Sequence, residues 1–145
     1  MAADLSRFLK AQEYDYEQAL REIRSGRKRS HWMWYIFPQI QGLGFSRTAE
    51  FYAIRDLEEA KDYLAHPVLG ARLNEISSAL LDLEGLSASQ IFGYPDDLKL
   101  RSSMTLFQMA DLDCDIFPKV IEKYYDGVPD SRTVNIVRGT WLKGQ

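Results

Sequence analysis

The sequence predicts an all-α protein: one compact, irregular bundle of about six to eight helices, several of them short. Three observations carry that expectation. Apolar residues recur at three- and four-residue spacing through most of the chain, glycine and proline cut the pattern into helix-length pieces, and no segment looks like a strand with a partner. A chain of 145 residues lies near the commonest domain size, so 1–145 reads as a single helical domain.

Leu5, Phe8 and Leu9, then Ala19, Leu20 and Ile23, place one interrupted helix, or two, between Asp4 and Gly26. Gly26 ends it, since glycine takes the left-handed terminus without penalty, and Arg21 and Arg24 suit the negative end of the dipole. The run His31-Trp32-Met33-Trp34-Tyr35-Ile36-Phe37-Pro38-Gln39 is apolar without a clear period. It reads as a short helix, turned by Pro38 into the loop of Gly42 and Gly44. Ser46 caps a helix containing Phe51, Tyr52 and Ile54. Asp56 with Glu59 has capping-box spacing, so two helices abut near Arg55.

Pro67 suits the first turn of the next helix, where Leu69, Leu73, Ile76, Leu80 and Leu83 form one stripe that crosses the core. Gly85 closes it. Ser87 and Gln90 form a capping box for a short turn ending at Gly93. Pro95 and Asp96 start a helix to about Met109 with Leu100, Met104 and Phe107 on its apolar face. Beyond the acidic loop 111–115, with Asp115 as cap, Phe117, Val120, Ile121 and Tyr124 mark a helix stopped by Gly127 and Pro129. Ser131 then caps a last short helix through Val137.

Composition narrows the function classes. Apolar residues at 46% and charged residues at 27% are globular averages, which argues against disorder. A formal charge of −3 and a pI near 5.4 give no long-range attraction for nucleic acid or an anionic membrane, so neither is expected as a partner. No apolar run approaches bilayer length, and the first residues hold no basic stretch leading into an apolar one. The lone Cys114 cannot form an internal disulfide. These features point to a cytoplasmic protein, monomeric by default. An aromatic share of 12%, including Trp32, Trp34 and Trp141, makes an aromatic core.

Several motifs fail on their chemistry. Asp111, Asp113, Asp115 and Glu122 copy four ligand positions of a calcium-binding EF-hand loop. Ile116, however, stands where that loop needs glycine, Pro118 follows, and Lys119 puts a cation where an oxygen ligand belongs. His31, His66 and Cys114 fall short of a zinc set, so neither metal nor cofactor is expected. No phosphate loop or Gly-x-Ser-x-Gly elbow occurs, and the pair Gly42-Leu43-Gly44 reads as a turn.

Two clusters survive. On a helix, Lys99 shares a face with Ser102 and Ser103, so an ammonium and hydroxyls converge. Small hydroxyl side chains that let helices pack closely are the simpler explanation, and no residue is assigned as catalytic. Arg24, Arg27, Lys28 and Arg29 adjoin His31, Trp32, Trp34 and Tyr35, combining charge for phosphates with rings for stacking; a solvated helix exit beside core aromatics is the simpler explanation.

The segments His31-to-Gln39, Gly42-Leu43-Gly44, His66-Pro67-Val68-Leu69-Gly70, Ile91-Phe92-Gly93 and Lys99-to-Phe107 together resemble the domain-of-unknown-function family 1810 (DUF1810), small bacterial and fungal proteins. The resemblance covers nearly the whole chain. It implies a compact, mainly helical fold and carries over no catalytic residue.

The residues themselves favour a pocket for a small anionic, nucleotide-like ligand, built where His31–Gln39 packs beside the Lys99–Ser103 helix. Its ligand-binding set is His31, Trp32, Trp34, Gln39, Lys99, Ser102 and Ser103. Lys99 neutralises charge, the serines donate hydrogen bonds, a tryptophan stacks, and His31 is the acid or base if chemistry occurs. Whether the protein is an enzyme stays open at this point. The alternative is a non-enzymatic protein- or nucleic-acid-interaction domain using the aromatic segment and the Arg24–Arg29 stretch. In a third reading both tryptophans fill the core, and Trp34→Ala costs roughly 3–5 kcal/mol.

Overall fold

The computed structural model describes residues 4–143, with side chains as far as residue 139. Among them, α1 (Ser6–Arg24) is one unbroken helix, followed by the short α2 (Met33–Ile36) and α3 (Arg47–Phe51). Then come α4 (Leu57–Ala65), α5 (Leu69–Leu81), the short α6 (Ala88–Phe92), α7 (Asp96–Ala110), α8 (Ile116–Tyr125) and α9 (Ser131–Lys143). The fold is all-α, as the periodicity indicates.

In α1, Phe8, Tyr16, Ala19, Leu20 and Ile23 keep to one buried stripe, which also carries Gln12. The buried Gln12 amide is satisfied: its Nε2 lies 2.7 Å from the Tyr35 carbonyl and 2.9 Å from the Tyr63 hydroxyl. This one side chain ties α1 to α2 and α4. The middle of α7 is enclosed, with residues 102–107 buried in unbroken succession and α4, α8 and α9 packed around it, while its first turn stays open to solvent. Helix α5 packs on α1, α4 and α8 through the expected stripe of Leu69, Leu73, Ile76 and Leu80. Rings form a continuous thread through the centre, from Phe8 to Tyr63 (5.2 Å), Phe107 (5.3 Å) and Phe117 (6.0 Å). Trp141, counted among the aromatics, lies outside the residues whose side chains are described.

Local signals read from sequence meet the structure unevenly. Ser46 and Ser87 cap α3 and α6, and Ser87 with Gln90 forms a complete capping box. Helix α3, however, stops at Phe51. Ile54 instead makes an isolated parallel bridge with Ile40, its N–H donating to Gln39 O at 2.8 Å, because a short apolar run does not distinguish a helix from an extended segment. Asp56 caps α4, but Glu59 turns away from the box to accept from Arg7 and Arg55. Asp115 stands at the N-cap position of α8 as expected, but its side chain makes no capping hydrogen bond; its carboxylate pairs with Lys119 at 3.1 Å. The cap of α9 is Asp130, which accepts from the Thr133 N–H at 3.0 Å, and that helix runs past Val137 to Lys143.

Gly70 is required by a close approach. A Cβ on Gly70 would overlap the Leu64 carbonyl oxygen, a backbone atom where α4 hands over to α5. Gly70→Ala is therefore expected to destabilise by about 1–3 kcal/mol despite alanine's better helix propensity. A lower urea midpoint at unchanged m-value checks this, and a neutral or stabilising result would refute it.

Candidate functional site

The site begins with one buried carboxylate. Glu22, 7% exposed on α1, accepts at Oε1 from the backbone N–H of Arg29 (2.7 Å) and Ser30 (3.0 Å) and from the Trp32 indole N–H (2.9 Å). Its Oε2 accepts from Ser30 Oγ (2.7 Å) and Gln18 Nε2 (3.0 Å). Burial pushes the Glu22 carboxyl upward, but these donors, the Arg29 N–H first, outweigh it and hold the pKa at about 2. The acid thus folds the 27–32 segment back onto α1.

That fold separates the two tryptophans. Trp32 is 1% exposed and packs against Phe37 and Phe92, at 6.1 and 6.5 Å between ring centroids. Trp34 lies two residues on, about 200° around the helix, and is half-buried at the wall of a cleft.

The cleft encloses about 310 Å³. One wall is Trp34, Gln39, Leu43 and Gly44 with Ala49 of α3; another is Pro95 and, from α7, Leu98, Lys99, Arg101 and Ser102; Asp130 and Arg132, at the start of α9, close the third side. Lys99 Nζ lies 5.4 Å from the Trp34 ring centroid and 3.3 Å from Asp96 Oδ1. Asp96 Oδ2 takes a second lysine, Lys28, at 2.9 Å, and Lys28 lies 5.1 Å over the Trp32 ring. Arg101 donates to the Val128 carbonyl at 2.8 Å and lies against Tyr125. Ser102 Oγ is within 3.2 Å of the Leu98 carbonyl and 3.3 Å of Asp130 Oδ2. Thr105 Oγ1 receives the Asp130 N–H at 2.9 Å, so α7 holds the cap of α9 in place. Among the described residues, the Gln39 amide, the Trp34 indole N–H and the Arg132 guanidinium have no hydrogen-bond or ion-pair partner.

Four residues expected at a site from sequence therefore share this cleft: Trp34, Gln39, Lys99 and Ser102. Three lie elsewhere. Trp32 is core, Ser103 is buried with its Oγ unpartnered among the described residues, and His31 is exposed off the cleft, its carbonyl accepting from the Tyr35 hydroxyl at 3.3 Å. The Arg24–Arg29 stretch is divided, since Lys28 is only 8% exposed while Arg24, Arg27 and Arg29 face solvent. Arg101, Asp130 and Arg132 are lining residues that sequence reasoning missed. Arg101 sits inside the Lys99–Thr105 motif, two positions from Lys99, where helical spacing assigns it to another face. Among the described residues, no three His, Cys, Asp or Glu side chains gather to hold a metal ion, and no helix is long and apolar enough to cross a membrane.

These features define an all-α protein with a cation-lined cleft of small-molecule size. The chain belongs to the family described as Protein of unknown function (DUF1810), whose model matches residues 2–137. A similar solved structure is the conserved hypothetical protein Rv1873 from Mycobacterium tuberculosis. It is 49% identical, with a TM-score of 0.92, over 93% of this chain and 96% of that one. No curated protein matches the chain.

Proposed function

We propose that the cleft between α2, α7 and the start of α9 binds a small anionic ligand carrying a planar ring, of nucleotide-like chemistry. The observation that supports this most is the convergence of Lys99, Arg132 and the unpartnered Gln39 amide beside the half-buried Trp34 ring, in a volume of about 310 Å³. That volume is at the small end of ligand pockets, which start at about 300 Å³. Lys99 and Arg132 take the anion, Trp34 offers its ring, and the Gln39 amide, donor and acceptor at once, reads a polar edge. Ser102 supplies a hydroxyl. Trp32 and Ser103 support the walls by packing, and His31 has no part in contacting the ligand.

An interaction surface built on the same aromatics needs them exposed, and Trp32 is not. The Arg24–Arg29 stretch loses Lys28 to the interior as a phosphate contact.

Thermal-shift screening with nucleoside 5′-monophosphates, phosphorylated sugars and phenyl phosphate tests the reading, because a ligand of the native state raises the melting temperature. At least one compound is expected to do so, with affinity reduced roughly tenfold or more in Lys99→Ala and Arg132→Ala. It should be unchanged in Lys119→Ala, whose lysine pairs with Asp115 on α8 away from the cleft lining. A panel with no hit, or a hit indifferent to both cleft substitutions, would sink it.

A further inference from the structure

Asp96 is shared. Its two oxygens hold Lys28 at 2.9 Å and Lys99 at 3.3 Å, so one carboxylate serves two ammonium groups. Lys28 has the shorter contact and is the more enclosed, 8% exposed against 28% for Lys99, and it also donates to the Ser30 carbonyl. The Glu22 network fixes the backbone that carries it. Asp96 is thus largely committed to Lys28, which leaves Lys99 in surplus at the cleft wall. Of the groups that line the cleft, the cations Lys99, Arg101 and Arg132 face one carboxylate, Asp130, while Asp96, outside the lining, is balanced by Lys28. Two positive charges remain over.

We infer that the cleft selects a dianion, specifically a phosphate monoester, over a singly charged anion of the same shape, with Lys28 as a positioning residue that frees Lys99 from Asp96. This rests on the cleft being the ligand site and adds the charge class of its ligand. A phosphate monoester loses its second proton at about pH 6 and is mainly dianionic above pH 7, whereas a sulfate monoester of equal geometry stays singly charged. Lys28 does not line the cleft, so its influence passes through Asp96.

Calorimetric titration at pH 7.5 with phenyl phosphate and phenyl sulfate tests the inference. The phosphate is expected to bind roughly tenfold more tightly, as one extra charge close to several cations implies. Asp96→Asn should tighten phenyl phosphate several-fold, and Lys28→Met should weaken it and bring the two ligands toward equal affinity. Opposite signs in these two variants separate charge positioning from structural damage, which would weaken binding in both. Circular dichroism confirms that each variant is folded, and if Lys28→Met fails to fold, Asp96→Asn and the ligand pair still decide. Equal affinity for the two anions, or weaker binding in folded Asp96→Asn, overturns the inference while leaving the cleft reading intact. Failure of both anions to bind overturns it as well, and the nucleotide and sugar phosphate screen then judges the cleft reading separately.

Discussion

Trp32→Ala is expected to lower the stability of the fold by about 3–5 kcal/mol, whereas Trp34→Ala should cost only about 1–2 kcal/mol. The two side chains are of one type and two residues apart, so the difference isolates environment. Trp32 is almost completely buried, its ring set between Phe37 and Phe92 and its N–H committed to Glu22. Truncation opens a large cavity and deprives a buried carboxylate of a donor, and both effects destabilise. Trp34 keeps part of its surface in solvent and has no hydrogen-bonded partner among the described residues, so its loss removes only packing at the edge of the core, the contact with Lys99 and part of a cleft wall. Urea unfolding followed by far-UV circular dichroism measures both. Trp32→Phe should fall between wild type and Trp32→Ala, because it restores ring packing without the N–H. Equal costs for the two alanine variants would contradict the division between core and cleft.

The same division marks how far sequence reaches. The long helices were legible because each carries a repeating apolar face: Leu69, Leu73, Ile76 and Leu80 on α5, and Leu100, Met104 and Phe107 on α7, are all buried. Ser87 with Gln90 was legible because a capping box is a local chemical device. The choice between adjacent cap-competent residues was not. Asp130 rather than Ser131 caps α9 because Ser102 and Thr105, 28 and 25 positions earlier, hold Asp130 from the side of α7. For the site, residue type alone brought Trp34, Gln39, Lys99 and Ser102 into one hypothesis. It equally suggested Trp32, which the structure places in the core, because an aperiodic aromatic run does not reveal which ring points inward. That direction is set by Glu22, a residue sequence reading treats as one more surface acid on an amphipathic helix. Arg132 and Asp130 reach the cleft only through the return of α9 onto α7, a long-range contact with no counterpart in local spacing.

Glu22 should also govern stability in acid. Its folded pKa of about 2 lies below the ordinary value of 4.5 for a glutamic acid, so the unfolded chain takes up a proton at this residue while the folded one still resists. A depressed folded pKa contributes stability fully above pH 4.5, and the contribution drains away as the pH falls toward 2. A shift of this size amounts to about 3 kcal/mol across that window. Glu22→Gln provides the comparison: its amide has one acceptor oxygen and turns an NH₂ toward the donors that Oε1 and Oε2 now receive. At pH 7 the variant is expected to be less stable by about 3 kcal/mol or more, and the gap to wild type should close steadily between pH 4.5 and pH 2. Other carboxylates titrate in both proteins and cancel in the difference, so urea midpoints across that range read Glu22 itself. A gap that stays constant with pH would mean that the charge of Glu22 is not what the Arg29, Ser30 and Trp32 donors stabilise. A gap that closes ties the acid to the segment that buries Trp32 and carries Lys28 to Asp96, and through it to the charge presented by Lys99 at the cleft.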